Sequence, residues 1–543
     1  MDPRPSLLSA ASWPVLPIVL GLLLGACEPD APGSPSSLVD DPELGMVNFP
    51  TSCSDEVQPR LERGVLMLHH MMYVEAESAF QAAAEAEPDC AMAHWGLAMA
   101  HFQPFWGSAE VEEGRVHAQR AVELGAPTER EGGYLRAAMA FYEDPDANYA
   151  QRIRNWEAAS ETLHQTFPDD PEAAAFFALA HLSVASDDPA HQERTAGIVH
   201  ELRQEMPRHP GAIHYGIHVH DVDARAHDGV EFAQAYGDIA PSIPHALHMP
   251  SHIYVRTGDW DAVIEWNRAS ADAALEHPAG EYISHHHPHA LDYLMYGHLQ
   301  RGDDVAAEEV LQELRAREDY QPTFVSAYAL GAIPARWYVE RNDWEGALEL
   351  VPREPATFPW DQFPEAEAMV YFAHGLAAAR LHDVEGAREA STRLQELETS
   401  AVQVRDEYWA QKIQVQRRSI DAWQALAEGR IDEAISEMRA AAELDGEMEK
   451  HPVTPGDLQP AYELLGDLLM EAEQPAEALT AYETSLETWP NRYHTLLGAA
   501  RAARELDEHE LSRAYYDDLL ALATDAHPDR TGVEEARSWI QAN

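Results

Sequence analysis

The chain has little positive charge. Its 543 residues include 37 lysines and arginines against 94 aspartates and glutamates, which gives a formal net charge of −57. Such a surface repels the phosphates of nucleic acids, so we expect no nucleic-acid partner, and it also repels anionic lipid headgroups. The charge suits cationic partners, including metal ions. A salty habitat would explain the same charge without any partner, so both interpretations stay open.

Several catalytic and redox patterns are missing. The sequence contains neither a glycine-rich phosphate loop nor a GxSxG nucleophile elbow. It also lacks an HExxH zinc motif and a CxxC pair. Neighbouring carboxylates are so frequent in an acidic chain that they indicate nothing by themselves. The sequence therefore favours a role other than catalysis.

The N-terminus has the features of an exported protein. Arg4 precedes an apolar stretch from about Val15 to Leu24, and the following Gly25-Ala26-Cys27 completes what resembles a bacterial lipobox. The resemblance implies a lipoprotein signal peptide at residues 1–26, cleavage before Cys27 and a lipid on its thiol. A transmembrane anchor is the alternative, but the stretch is too short and is interrupted by prolines.

The segment after Cys27 predicts a tether. Residues 27–48 are rich in Pro, Ser, Asp and Gly, a composition that buries too little apolar surface to fold. Glu28 directly follows the cysteine and favours the outer membrane over retention at the inner one. We therefore expect a lipid-anchored protein of the bacterial cell envelope, facing the periplasm or the exterior, with the lipid as its membrane contact.

A pattern of small and aromatic residues occurs twice. It has a glycine followed at offsets of twelve, sixteen, nineteen and twenty-four by an alanine, an aromatic, a small residue and a proline. The copies are Gly64, Ala76, Phe80, Ala83, Pro88 and Gly466, Ala478, Tyr482, Ser485, Pro490. These offsets resemble the tetratricopeptide repeat, a helical hairpin that buries its apolar face only by stacking on others. The resemblance implies an all-α, right-handed superhelical solenoid with a concave binding surface.

Turn signals extend this pattern along most of the chain. Gly258, Gly302 and Asn342 each lie between two helical segments, at a position that favours left-handed backbone. We predict a first solenoid at residues 49–350, a loop rich in proline and aromatic residues at 351–364, and a second solenoid at 365–543. A histidine-rich segment at 209–293 interrupts the regular pattern of the first solenoid.

The histidine-rich segment is the best candidate for chemistry. His214 and His218 are four residues apart, as are His248 and His252, so each pair shares one helix face. Two imidazoles at this spacing can bind one metal ion. The first helix of each hairpin is its leading helix. Counted back from Gly258 and Gly302, His245 and His289 occupy equivalent positions on successive leading helices, and so do His248 and Asp292. The candidate ligands for a transition metal such as zinc or copper are His214, His218, His245, His248, His252, His289 and Asp292.

A groove without metal is the other interpretation of this segment. Histidines and tyrosines on leading helices could equally contact a peptide or a small ligand in the concave surface. The candidate contacts are His214, His218, Tyr254, Tyr293 and Tyr296. The tract His285-His286-His287 is predicted to be a loop that either has no role of its own or binds metal loosely.

The two remaining cysteines precede the leading helices of adjacent predicted repeats. Cys53 and Cys90 should therefore lie on one edge of the solenoid, where a disulfide is possible. One helix cap and one small buried thiol are the alternative.

Two segments resemble a narrower group, bacterial exported lipoproteins with tetratricopeptide repeats and no assigned reaction. They are FPTSC with DCAMAHWGLAMA, and APSIPHALHMPSHIYVRTGDW with HALDYLMYGHLQ. This resemblance covers roughly residues 49–320 and supports fold and export. From the sequence we expect a membrane-tethered scaffold that binds a peptide, protein or ligand in its concave groove, with a metal-binding protein as the alternative.

Overall fold

A computed structural model describes residues 44–105, 110–184, 188–222, 225–403, 407–524 and 526–542. The predicted signal peptide, Cys27 and residues 28–43 of the predicted tether lie outside the described residues. The last part of the predicted tether, residues 44–48, packs on the body: Leu44 is buried, and the Met46 N–H donates to the Arg208 carbonyl at 2.9 Å. All described residues belong to one compact unit. Among them, no helix combines the length and the apolar character that crossing a bilayer requires.

The described part of the chain is built from helices, which confirms the all-α prediction. In the first half they are α1 (Gln58–His69), α2 (Tyr73–Ala86), α3 (Ala91–Ala100), α4 (Val111–Leu124), α5 (Glu129–Tyr142), α6 (Tyr149–Thr166), α7 (Pro171–Val184), α8 (Pro189–Glu205), α9 (Pro210–His220), α10 (Ala226–Ile239), α11 (Pro244–His248), α12 (Pro250–Thr257) and α13 (Trp260–Ala274). In the second half they are α14 (His286–Gln300), α15 (Asp304–Arg315), α16 (Phe324–Val339), α17 (Trp344–Leu348), α18 (Pro364–Arg380), α19 (Val384–Gln403), α20 (Glu407–Ala427), α21 (Ile431–Gly446), α22 (Ala461–Glu471), α23 (Pro475–Thr488), α24 (Tyr493–Glu505), α25 (His509–Leu522) and α26 (Val533–Ala542).

Consecutive helices pair as antiparallel hairpins, and leading helices of neighbouring hairpins also pack together. The repeat pattern explains how. Phe80 of α2 is fully buried between the glycines of α1 and α3. A Cβ atom at Gly64 would come within 2.4 Å of the Phe80 ring, and one at Gly96 within 2.1 Å. Only glycine leaves room for this ring, so the spacing read in the sequence sets the distance between leading helices.

The predicted turn residues have the expected backbone. Gly258 and Gly302 both have φ of 68°, and Asn342 has φ of 53°, so all three adopt the left-handed conformation that ends a helix. Pro250 divides one leading helix into α11 and α12, as its missing N–H predicts. The structure also contains the Cys53–Cys90 disulfide, with 5.5 Å between the two Cα atoms.

The C-terminal hairpins fold back onto the central leading helices. Trp260 Nε1 donates to the Asn491 carbonyl at 2.7 Å. The guanidinium of Arg492 donates to Tyr296 Oη at 2.6 Å and to Glu340 Oε1 at 2.8 Å. These contacts join residues about 150 to 230 positions apart along the chain. The chain itself therefore covers part of the surface formed by α13, α14 and the end of α16.

The loop predicted at 351–364 packs on this body. Phe358, Trp360 and Phe363 are buried in one apolar cluster with residues of α14, α15 and α16. A short 3-10 turn at Trp360–Gln362 precedes α18, which begins at Pro364. The same cluster includes Ala366 of α18, so the segment packs where the two predicted solenoids meet.

Candidate functional site

Six histidines converge between α9, α11, α12 and α14, and we call the region enclosed by their rings the chamber. They form two groups of three, in each of which one nitrogen per ring lies within 4.8 Å of the others. We call His214, His218 and His245 the first triad, and His248, His252 and His289 the second triad. Five of the six side chains are at most 4 % exposed, and His218 is half-buried. The i, i+4 spacing read from the sequence does place both pairs on one helix face.

In the first triad, His214 is the central ring. Its Nε2 lies 3.2 Å from Nε2 of His218 and 3.2 Å from Nε2 of His245. On its other side, His214 Nδ1 lies 2.6 Å from the carbonyl oxygen of His69, at the end of α1. A carbonyl can only accept a hydrogen bond, so Nδ1 carries the proton and Nε2 of the neutral ring presents a lone pair to its two neighbours.

In the second triad, two Nε2 atoms face each other. Those of His248 and His252 are 2.9 Å apart. His289 packs beside them, its ring centroid 4.1 Å from that of His248. The pair bridges the kink at Pro250, so the helix break does not separate the two rings.

The Nδ1 atoms of this pair are both fixed as donors. His248 Nδ1 lies 2.7 Å from Asn267 Oδ1, and Asn267 Nδ2 donates to the Val263 carbonyl, which sets the orientation of the amide. His252 Nδ1 lies 2.9 Å from Asp221 Oδ2, a carboxylate that can only accept. In the neutral rings, both Nε2 atoms therefore carry a lone pair and act as hydrogen-bond acceptors.

Asp221 is the polar anchor of the chamber. Its carboxylate accepts from Lys450 Nζ at 2.9 Å and from Arg256 Nε at 3.0 Å. Burial alone would raise the pKa of this carboxyl, but the charges of Lys450 and Arg256 and the bond from His252 bring it below its ordinary value. The carboxylate is therefore ionised and fixes the proton on His252 Nδ1.

Burial also determines the charge of the imidazoles. It lowers the pKa of every ring in both triads, and that of His218 falls to about 3. The rings are accordingly neutral near pH 7, the form that binds metal.

Aromatic rings and the C-terminal part of the chain close the chamber. Phe105 stacks on His218 with 4.8 Å between ring centroids. Tyr293 packs edge-on against His248 at 4.6 Å and donates through its hydroxyl to the Val453 carbonyl. The predicted groove residues Tyr293 and Tyr296 are thus buried beneath the C-terminal part, and Tyr254 is 9 % exposed.

Asp292, the one carboxylate among the predicted ligands, lies apart from both triads. Its Oδ1 is 3.6 Å from Arg336 Nε. Burial raises its pKa to about 6 despite the opposing charge of Arg336. The converging donors found in the described residues do not include it.

The tract His285-His286-His287 is not a loop as predicted. His285 occupies the N-cap position of α14 without a capping hydrogen bond, and His286 and His287 begin its first turn. Pro288 is tolerated there because the first helical N–H groups have no intrahelical partner. The histidines pack inward: His286 lies against His245, and His287 Nε2 is 3.0 Å from Glu313 Oε1.

A third buried histidine group surrounds Glu172. His69 Nε2 is 2.7 Å from Glu172 Oε2, and His209 Nε2 is 3.3 Å from Glu172 Oε1. The other ring nitrogens bind the Tyr215 hydroxyl and the Ala212 N–H. We call His69, Glu172 and His209 the Glu172 cluster, in which every ring nitrogen has a protein partner.

An open cleft of about 450 Å³ lies next to the chamber, between α20, α21, α22 and α23. Acidic Glu443, Glu447 and Glu487 line it together with the rings of Tyr462 and Trp489. Its two lysines are both engaged by aspartates: Lys412 Nζ lies 2.7 Å from Asp445, and Lys450 binds Asp221. The cleft is therefore acidic. Sequence reasoning missed it, because acidic residues in such a chain carry no local signal.

Comparison with known proteins agrees with the repeat pattern. The family model described as tetratricopeptide repeat matches residues 73–103 and 463–529. No curated protein matches the chain. The first match contains Phe80 and the second contains Tyr482, the aromatic residues of the two sequence patterns. In these two parts, the chain is similar to tetratricopeptide repeats.

Proposed function

We propose that this protein is a membrane-tethered tetratricopeptide scaffold that binds a protein partner through a cationic segment. The observation that carries the proposal is the acidic cleft, which adjoins the second repeat match at residues 463–529. Tetratricopeptide repeats generally act as protein-binding modules, and a solenoid offers extended surfaces for this purpose.

The chemistry of the cleft indicates what kind of segment would bind. Glu443, Glu447 and Glu487 are exposed, whereas Trp489 is 7 % exposed and offers the edge of an aromatic surface. An arginine or lysine would meet carboxylates at the rim, and its aliphatic stem could pack on the exposed atoms of Trp489. The net charge of −57 would attract such a segment from a distance.

The test is a panel of synthetic peptides of equal length and graded positive charge, titrated against the full chain by calorimetry. We expect affinity to rise with positive charge and to fall at least tenfold in the triple variant Glu443→Gln, Glu447→Gln, Glu487→Gln. The matched control is Glu112→Gln, Glu113→Gln, Glu123→Gln on α4, which removes the same charge from another hairpin. Equal affinity for the two variants would contradict binding in the cleft.

The lipid anchor is part of the same proposal and has its own test. Mass spectrometry of the protein from bacterial membranes should find a chain that begins at Cys27 with a diacylglyceryl group. The Cys27→Ser variant should lose the modification and leave the membrane fraction. An unmodified Cys27 in the wild-type chain would rule out the tether.

A further inference from the structure

The second triad contains a pair of nitrogen lone pairs that protein atoms do not satisfy. His248 and His252 each donate from Nδ1, to Asn267 and Asp221, and point Nε2 at each other across 2.9 Å. Two acceptors at this distance repel each other unless a cation lies close to both.

The first triad presents the same problem around one ring. His214 Nε2 has a single lone pair, and Nε2 atoms of two other rings lie 3.2 Å from it. One of these rings can donate a proton to His214, but two cannot share one lone pair with good geometry. A metal ion resolves the conflict, because it accepts a lone pair from each ring.

We propose that the two triads form a pair of transition-metal sites, in which each triad binds one ion through its imidazole nitrogens. This inference goes beyond the proposed scaffold function and does not depend on it.

The spacing of the donors fits such an ion. Metal–nitrogen bonds are about 2.0–2.1 Å long, so two nitrogens on one tetrahedral ion lie roughly 3.3 Å apart. The Nε2–Nε2 separations of 2.9 and 3.2 Å are close to this value, and the remaining donor pairs of each triad lie within 4.8 Å. Three donors leave one coordination position open in each triad, an arrangement that can hold a water molecule or a small ligand.

The donor set indicates the class of metal. All six donors are imidazoles, and neither triad includes a carboxylate or a thiolate. Imidazole suits copper, zinc, nickel and iron, whereas magnesium and calcium require oxygen ligands. Copper has the highest affinity for such nitrogen donors among the divalent ions of the first row.

The partners behind the rings match those of metal-bound histidines. Ligating imidazoles usually donate their second N–H to a carboxylate, a carbonyl or another fixed acceptor, which fixes the ring and makes the ligand more basic. Here these acceptors are the His69 carbonyl, Asn267 and Asp221.

The two triads share one chamber. The ring centroids of His245 and His248 are 6.1 Å apart, and those of His218 and His252 are 5.9 Å apart. Ions in the two triads would therefore be close neighbours, so a ligand at their open positions could contact both.

The experiment uses the full chain without a histidine tag, incubated with copper(II) or zinc(II), desalted and analysed for metal. We expect two equivalents per chain. The variants His214→Ala/His218→Ala and His248→Ala/His252→Ala should each retain one. The matched control His227→Ala/His509→Ala, which removes two exposed histidines, should retain two. Retention of no metal by the wild-type chain, or equal loss in the control, would overturn the proposal.

A spectrum of the wild-type protein keeps the test valid if the variants fail to fold. Electron paramagnetic resonance of the copper(II)-loaded chain should show nitrogen hyperfine structure and a signal weaker than the bound copper predicts, because neighbouring ions couple. A full-intensity signal from isolated copper, or one without nitrogen splitting, would contradict a pair of imidazole sites.

Discussion

The Glu172 cluster and the second triad are both buried sets of three side chains, yet they differ in what their nitrogens face. In the Glu172 cluster a carboxylate accepts from two imidazoles, and each remaining nitrogen binds a hydroxyl or a backbone N–H. In the second triad, the outer nitrogens of His248 and His252 are equally well bound, but the inner ones face each other.

This difference shows that burial and residue type do not decide the role of a histidine. The Glu172 cluster is complete without a ligand and ties α1, α7 and α9 together. In the second triad, by contrast, the proposed metal ion would lie among the rings and bind the nitrogens that face each other. The orientation of each proton, fixed by the partner of the opposite nitrogen, separates a structural cluster from a binding site.

The largest effect should follow from removal of the carboxylate. Glu172→Ala leaves two buried imidazoles without their acceptor, and loss of one partner of a buried charged group costs about 3–5 kcal/mol. We expect the free energy of unfolding in urea to fall by this amount while both metal equivalents are retained. Loss of metal with unchanged stability would contradict this prediction, because it would show that the Glu172 cluster binds metal and contributes little to stability.

A smaller stabilisation should result from metal binding. A ligand at a hundredfold excess over its Kd stabilises a folded protein by about 2.7 kcal/mol per site. Thermal unfolding of the wild-type chain should therefore shift upward with copper(II) or zinc(II), and the shift should shrink in His248→Ala/His252→Ala. The Glu172→Gln variant should keep the whole shift. A shift of equal size in the triad variant would show that the metal binds elsewhere.

The smallest effect is a change in pH dependence. Burial alone would raise the pKa of Glu172. The charges of His209 and His69, together with their hydrogen bonds to the carboxylate, instead bring this pKa below its ordinary value. Since the folded pKa lies below the unfolded value of about 4.3, this stabilisation is present above pH 4.3 and is lost as the pH falls further. Urea unfolding from pH 6 to pH 3 should show wild-type stability falling faster than that of Glu172→Gln, by at most about 1.4 kcal/mol per pH unit. Parallel curves would contradict the ionised carboxylate.

Much of the fold follows from local sequence. The glycine and aromatic offsets predict stacked helical hairpins, and the turn residues predict left-handed backbone at Gly258 and Asn342. Helical spacing also identifies the six histidines of the two triads. These signals are local because each depends on residues within one or two hairpins.

The rest depends on contacts between distant parts of the chain. Lys450 binds Asp221 across 229 residues, and Arg492 binds Tyr296 across 196, so no periodicity reveals either contact. Register counting placed Asp292 with the histidines, but Arg336 of the next leading helix holds its carboxylate. The return of the C-terminal hairpins also covers the tyrosines that a freely open solenoid would expose.

Anomalous X-ray diffraction from crystals of the copper-loaded full chain tests the central claim most directly. The account predicts two copper peaks, one among His214, His218 and His245 and one among His248, His252 and His289, and none beside Glu172. Empty triads, or a peak at the Glu172 cluster, would contradict it.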